Sequence, residues 1–441
     1  MKKHLNLFLA TITVTSLLGA CRTTDGITTD TSLINPNNNT ISEFSANGQS
    51  TKRFSLSFKA KITDQEIKTL ESKYNTKFEK IIPQIGIAIA EKPAETQTDP
   101  TASAALVEGF KAESVIQEYE PINQVKLEDT TTDTESFKSI IGGSADASTE
   151  ISPLSSRQYQ MGIINANKGW DITRGKANIK IAIIDSGIDL NHPDLKSKIV
   201  TGTNIVSPGS QPMDDNGHGT HVAGIAAAVT DSNMGISGVA PGCSLMPVKA
   251  LKNGAGTDID IAEGIVWASD HGADVINISI GLYTKSTAME RAVKYAINKN
   301  VVVVSSAGND SKNSTIHLPS MIKGVIEVSA TTKQDKFASF SNYGQQISVS
   351  APGDNIYSTM PTYNVTLTSE AGGKKGYGTL SGTSMASPMV AGLAALLKSQ
   401  NKALTPQQIK TKIESSALDL GKKGYDSYFG NGRIDLLKTL K

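Results

Sequence analysis

Three residues along this chain could cooperate in one reaction, and a fourth could support it. Asp185 closes the apolar run Ile179-Lys180-Ile181-Ala182-Ile183-Ile184 and is followed by Ser186-Gly187. An acid at the end of such a run is costly to bury unless a partner takes its charge. His218 stands in Asn216-Gly217-His218-Gly219-Thr220-His221, opening an Ala-rich segment, and its flanking glycines allow close backbone approach. Ser384 lies in Ser381-Gly382-Thr383-Ser384-Met385-Ala386-Ser387-Pro388, just ahead of the apolar run from Ala391 to Leu397. A helix N-terminus there would set positive potential and free N–H groups beside the hydroxyl, which suits a developing oxyanion. Asn309 ends Ser305-Ser306-Ala307-Gly308-Asn309, and its amide could donate to the same oxyanion. A serine hydroxyl is a poor nucleophile until a base, usually His held by a buried acid, takes its proton. The chain order Asp, His, Ser is one of the three known orders of such triads. Taken singly, each residue has a plainer reading: a turn cap for Asp185, an N-cap for Ser384, a turn residue for Asn309. A zinc reading of His218 and His221 lacks its glutamate, because Gly219 stands where Glu would be needed.

The elements that must position these residues alternate. Strand-like runs read Ile179 to Ile184, Val275 to Ile280, Val301 to Val304 and Val325 to Val328. Helical patterns read His218 to Ala228, Ile259 to His271, Ala288 to Asn298 and Ser384 to Gln400. Continuous apolar strands with helices between them mean a buried, mostly parallel sheet, hence a three-layer α/β fold over residues 154–441. Functional groups gather beyond the carboxyl ends of strands in such sheets. An α/β-hydrolase would need its histidine after the serine, and all six histidines precede Ser384. A chymotrypsin-like double barrel would need an all-β pattern, which is absent.

The 441 residues suggest two or three domains. With 43 Lys+Arg against 42 Asp+Glu, the chain has no basic footprint for nucleic acid. Two cysteines, Cys21 and Cys243, exclude a disulfide scaffold and a Cys-rich metal site. Cys243, ahead of an apolar run, reads as a small buried hydrophobe. Lys2 and Lys3 precede a short apolar stretch that ends Leu18-Gly19-Ala20-Cys21. That is a signal peptide over 1–20, and its end resembles the bacterial lipobox, with Cys21 as the lipidated first residue of the exported chain. Residues 21–51, rich in Thr, Asn and Ser, read as a flexible tether. Residues 52–127 read as a small α/β domain: a strand at Phe54, Leu56 and Phe58, a helix from Asp64 to Tyr74, an apolar strand-like run from Ile81 to Ala90, and a helix from Ala102 to Glu118 burying Ala105, Val107, Phe110 and Ile116. Residues 128–153 form an acidic linker, extended and exposed by self-repulsion.

The segment from about Ser155 onward resembles the subtilisin-like serine proteases, nearest in texture to the thermitase type. Ile184-Asp185-Ser186-Gly187-Ile188, Asn216 to Gly224 and Ser381 to Pro388 carry the resemblance. It implies an endopeptidase with Asp185, His218 and Ser384 as triad and Asn309 as oxyanion donor. It implies that Ser279-Ile280-Gly281 pairs with the backbone of polypeptide substrates as an edge strand, and that Ser306, Ala307 and Gly308, with the stretch near Leu318-Pro319, border the first specificity pocket. Cleavage after large apolar residues is the expectation. The resemblance also implies calcium, with Asp194 as ligand and the loop Val229 to Ile236 contributing the carbonyls of Val229, Met234 and Ile236 and a side-chain oxygen from one of Asp231, Ser232 and Asn233. It makes residues 52–127 an inhibitory propeptide, closing in Glu118-Tyr119-Glu120-Pro121, and places the maturation cut in the linker. The expected product is an extracellular monomer, released from a precursor held at the membrane only by its lipid. One residue departs from the family pattern: Met389 follows Pro388 where histidine is usual, a change that bears on packing.

Overall fold

A computed structural model describes residues 43–127, 157–229, 235–313, 316–370 and 375–441. Cys21, the linker 128–153, Asp231 and Met234 lie outside the described residues.

The N-terminal domain is an antiparallel sheet of β1 (Gln49–Phe58), β2 (Lys77–Ile82), β3 (Ile87–Glu91) and β4 (Ile116–Lys126), in the order β2-β3-β1-β4. Helix α1 (Asp64–Tyr74) starts at a capping box: Thr63 Oγ1 accepts from Glu66 N–H and Glu66 accepts from Thr63 N–H at 2.8 Å. Helix α2 (Pro100–Ala112) starts where Asp99 accepts from Thr101 N–H at 2.8 Å. Three expectations shift here. The first strand begins inside the segment read as tether, because a turn with Gly48 at φ 75° folds Phe44 back against Ser50. The run from Ile81 to Ala90 is two strands, split by a turn from Pro83 to Gly86. Helix α2 buries Leu106 and Phe110 instead of Ala105 and Val107, since its start at Pro100 sets the helical phase, and Ile116 belongs to β4.

The main sheet of the larger part has seven strands, all parallel. They are β5 (Lys180–Asp185), β6 (Thr203–Asn204), β7 (Ser244–Lys249), β9 (Val275–Ile278), β10 (Val302–Ser306), β11 (Ile326–Thr331) and β12 (Val349–Pro352); β8 (Ala255–Thr257) stands outside this sheet. The order is β12-β11-β10-β9-β5-β7-β6. Helices α3 (His218–Ala227), α4 (Asp258–Asp270), α5 (Thr287–Asn298) and α6 (Thr383–Gln400) cover it. The two faces are sorted residue by residue. Ile181 and Ile183 of β5 join the cluster of α3 and α6, while Ala182 and Ile184 join that of α4 and α5. This is the three-layer arrangement expected of a parallel sheet buried on both sides.

The N-terminal sheet divides in the same way. Phe54, Leu56, Ala88 and Ala90 pack with Leu70, Leu106 and Phe110 of its own helices. Ile82, Ile87, Ile89, Ile122 and Val125 instead join the cluster of α4 and α5. The domain thus completes its second face on the larger part.

Candidate active site

Strand order reverses between β5 and β9, which are hydrogen-bonded neighbours. The crevice beyond their carboxyl ends is where such sheets place their sites. Asp185 ends β5, fully buried, and Ser279 follows β9. His218 is the first residue of α3, and its Nδ1 is 2.9 Å from both Asp185 carboxylate oxygens. The helix comes this close because residue 219 has no side chain: a Cβ there would lie 2.1 Å from the Gly187 carbonyl oxygen.

Helix α3 has no cap of its own, since its N-cap is Gly217 at φ 111°. The carboxylate of Asp214 does the capping from four residues upstream. Its Oδ1 accepts from Asn216 and Gly217 N–H at 3.0 and 2.9 Å, and its Oδ2 from the Thr220 N–H and hydroxyl at 2.9 and 2.6 Å. The Ser186 hydroxyl donates to Asp214 and accepts from Gly219 N–H, joining the helix start to the end of β5. Sequence reasoning passed over Asp214, which the Asx-type spacing before the glycine could have signalled.

Ser384 is the second residue of α6, with its hydroxyl donating to the Ser279 carbonyl at 3.1 Å. Pro388 removes the N–H that would normally bond the Ser384 carbonyl. The Ser279 hydroxyl donates to that carbonyl instead, at 3.0 Å. Asn277 supports the pair, donating to the Ser279 hydroxyl at 2.9 Å and accepting from Ser387 at 2.8 Å. Asn309 accepts from the Thr383 N–H and hydroxyl at 2.8 and 2.9 Å through its amide oxygen. That bond turns its Nδ2 the other way, where it is buried without a hydrogen-bond partner among the described residues. A buried donor without a partner is costly unless something accepts from it during function. The four residues read as chemical from the sequence therefore sit on the adjoining ends of β5, α3, β10 and α6. His221 does not join them: it is buried, its Nε2 faces the Ile356 carbonyl at 3.0 Å, and burial lowers its pKa to about 3. Met389 is fully buried in the core, in keeping with a packing role. Cys243 is buried beside Ser399, and burial pushes its thiol up.

Backbone pairing along this crevice is present, on a strand not foreseen. β4 runs antiparallel to β8, with Gln124 opposite Thr257, Val125 opposite Gly256 and Lys126 opposite Ala255. Leu127 N–H then donates to the Gly254 carbonyl at 2.8 Å. Ala255-Gly256-Thr257 has little strand character in its sequence, and a partner completes it. Around it, the N-terminal domain supplies acids to the start of α5 and an asparagine to the start of α4. Glu120 accepts from Thr287 N–H at 2.8 Å, Glu118 pairs with Lys285, and Asp258 accepts from the Asn123 backbone and side chain at 3.0 and 2.9 Å.

Ser279-Ile280-Gly281 follows Ile278, the last paired residue of β9, and Ser306-Ala307-Gly308 runs on from the end of β10, where Ser306 is the last paired residue. The first is the expected substrate-pairing strand, and the second the expected border of the first specificity pocket. The fully buried imidazole of His317 stands against Gly281 and Gly308.

Asp194 is buried, and among the described residues no Lys or Arg pairs with it. Its Oδ2 accepts from Ile236 N–H at 2.9 Å and the Tyr377 hydroxyl at 3.0 Å, and its carbonyl accepts from Val229 N–H at 3.0 Å. The backbone closes on it at Gly235, where a Cβ would lie 2.4 Å from Oδ1. A buried, uncompensated carboxylate inside folded backbone fits a hard cation.

The family model described as the subtilase family matches residues 176–432. A thermophilic serine proteinase of Bacillus sp. (strain AK1) is 45% identical over 280 residues, 63% of this chain and 66% of the relative. Thermitase of Thermoactinomyces vulgaris is 43% identical over 289 residues, 65% of this chain and 97% of the relative. Among solved structures, fervidolysin from Fervidobacterium pennivorans, a keratinolytic enzyme related to subtilisin, superposes with a TM-score of 0.70 at 28% identity. It covers 89% of this chain and 61% of its own. That share exceeds what the larger part alone can supply, so the N-terminal domain takes part in the likeness.

Proposed function

The chain belongs to the subtilase family and is a serine endopeptidase, and on that premise we propose that it is an autoinhibited proenzyme working through Asp185, His218, Ser384 and Asn309. One observation carries the reading: His218 Nδ1 is shared by both Asp185 oxygens at 2.9 Å, while Asn309 holds a buried Nδ2 free of protein partners among the described residues. In the reaction the Ser384 hydroxyl turns from the Ser279 carbonyl to His218 Nε2. Its oxygen attacks the scissile carbonyl as its proton passes to that nitrogen. Asp185 holds the imidazole by Nδ1 and stabilises the imidazolium. The oxyanion receives hydrogen bonds from Asn309 Nδ2 and the N-terminus of α6. Collapse breaks the C–N bond as His218 returns the proton to the leaving amine, giving an acyl-enzyme. Water, deprotonated by His218, then releases the acid and restores Ser384.

Residues 43–127 act as the prosegment. Its β4 lies along β8 as a product-like strand, and the cut falls in the linker 128–153. The calcium reading belongs here too: Asp194 and the carbonyls of Val229 and Ile236 would hold the ion, which tightens the loop they share. Export with lipid on Cys21 completes the proposal, so that cutting the linker frees the catalytic part from its anchor. Purified wild type beside Ser384→Ala tests the core of it by intact mass, N-terminal sequencing and casein digestion. Wild type is expected trimmed within 128–153 and active, the variant full-length and inert. Equal trimming or equal casein digestion in both would overturn the reading.

A further inference from the structure

The last residue of β7, Lys249, is a buried base that takes no part in the proposed proton transfers. β7 pairs with β5 so that Lys249 lies opposite Asp185, and the N–H groups of Ala250 and Leu251 donate to the Asp185 carbonyl at 2.9 and 3.2 Å. Lys249 Nζ donates to the carbonyl of Ser186, whose own N–H donates to Asp185 Oδ1 at 2.7 Å. The same Nζ is 2.8 Å from Oδ1 of Asp215, in the turn just ahead of His218. Asp215 Oδ1 also accepts from Asn253 N–H at 2.9 Å, at the turn that leads into β8. One ammonium thus ties the turn after the acid to the turn before the base, and through Asp215 to the strand along which β4 lies. Charge around the start of α3 is lopsided. Asp185, Asp189, Asp214 and Asp215 gather there: Asp189 N–H donates to the Thr220 hydroxyl at 2.9 Å, and Asp214 caps the helix. Among the described residues, Asp215 alone of these four has a Lys or Arg ion partner, and that partner is Lys249. His221, on the same helix, is kept neutral by burial. Tyr363, whose hydroxyl donates to the Asp214 carbonyl at 2.8 Å, has its pKa raised by burial. Lys252 past β7 and Lys126 of β4 are exposed.

We propose that Lys249 is a positioning residue of the acid–base pair: it holds Asp185 and His218 in register and is the fixed counter-charge that keeps the resting imidazole neutral. A general base must be unprotonated when it takes the serine proton. Carboxylates gathered beside an imidazole favour the imidazolium, and a cation set among them opposes it. The placement does this without disturbing the pair. Lys249 bonds Asp215 and the Ser186 carbonyl, while both Asp185 oxygens stay with His218 Nδ1 at 2.9 Å. In the sequence, Lys249 is the one charged residue between Leu245 and Leu251. A charge inside such an apolar run is costly unless its partners are waiting for it. The inference rests on the endopeptidase reading and adds to it a residue that touches neither substrate nor the reacting atoms.

The test pairs kinetics on matured enzyme, its active sites counted by titration, with histidine NMR on the uncut Ser384→Ala chain. Lys249→Met should lower kcat about ten- to a hundredfold with KM little changed, the scale of a misplacement of about 1 Å. It should also move the acid limb of kcat/KM, and the His218 titration, up by about half a pH unit or more. Asp215→Asn, at a partly exposed residue, should move both down, because it leaves the Lys249 charge in excess. The double variant should bring the titration back near wild type without restoring kcat. A merely structural role would lower the unfolding temperature and leave the His218 titration in place. Shifts that are absent, or of one sign in both single variants, overturn the proposal, as does wild-type kcat in Lys249→Met. Should Lys249→Met fail to fold, the direction of the Asp215→Asn shift decides. No turnover of casein by wild type overturns the endopeptidase reading, and the NMR titration still judges the role of Lys249.

Discussion

At the scale of single residues, Asn309 spends its two ends on different tasks. Its oxygen caps α6 through Thr383, and its nitrogen has no partner among the described residues. Asn309→Asp keeps an oxygen for Thr383 and removes the donor. We expect kcat to fall about 100- to 1,000-fold, about 2.7–4 kcal/mol of transition-state stabilisation, with KM little changed. Burst-phase kinetics on an ester substrate would check it, and a KM effect with intact kcat would refute it. The triad and Asn309 were legible in the sequence because each needs a particular side chain inside a short, glycine-bearing motif. His317 was not. Its buried place comes from Gly281, Gly308 and Ser320 meeting around it, and the lone tripeptide Ile316-His317-Leu318 carries no such information.

The elements position those residues through contacts that cross sequence distance. The β5, α3 and α6 boundaries were readable to within a residue, since apolar runs and glycine punctuation mark them. The three-residue β8 was not, because only pairing with β4 makes it a strand. Nor was the Asp214 cap, on which the first turn of α3 depends. Asp214→Ala leaves the Asn216, Gly217 and Thr220 N–H groups without that acceptor in a buried place. The expected loss is about 1–3 kcal/mol of stability for a buried donor left unmade. Activity should fall with it, because His218 opens that helix. Thermal unfolding of the inactive Ser384→Ala background measures the first without self-digestion. The loop around Asp194 invites a parallel measurement. EDTA should lower the unfolding temperature, and Asp194→Ala should make EDTA without effect. Calcium at a hundred times its Kd would stabilise by about 2.7 kcal/mol.

Across the whole molecule, the N-terminal domain, proposed as the prosegment, and the catalytic part share one apolar cluster. Ile82, Ile87, Ile89, Ile122 and Val125 have their partners on α4 and α5, so no reading of residues 52–127 alone could tell which face is covered. Cut free, residues 43–127 keep only the cluster of Phe54, Leu56 and Phe110, and we expect marginal structure by circular dichroism until catalytic part is added. Proton linkage then governs release. Asp258, the first residue of α4 beneath Asn123, has its pKa raised by burial to about 6 from an ordinary 3.8. Uncovering it on dissociation lets it fall back, so the complex holds more protons than the separated parts between those values. Binding through this group is therefore strongest below about pH 4, weakens as pH rises through 6, and then levels. Glu118 acts oppositely: its hydrogen bond from Lys285 lowers its pKa from 4.5, so its contribution is present above that value and lost as pH falls through the lowered one. Together they place the tightest association near the ordinary carboxylate range, with affinity declining toward pH 6 by at most tenfold per unit for the one proton. Titrating residues 43–127 into the Ser384→Ala catalytic part from pH 4 to 8 reads this without proteolysis. Asp258→Asn should flatten the fall between pH 4.5 and 6.5. A wild-type affinity that rises across that window would sink the linkage.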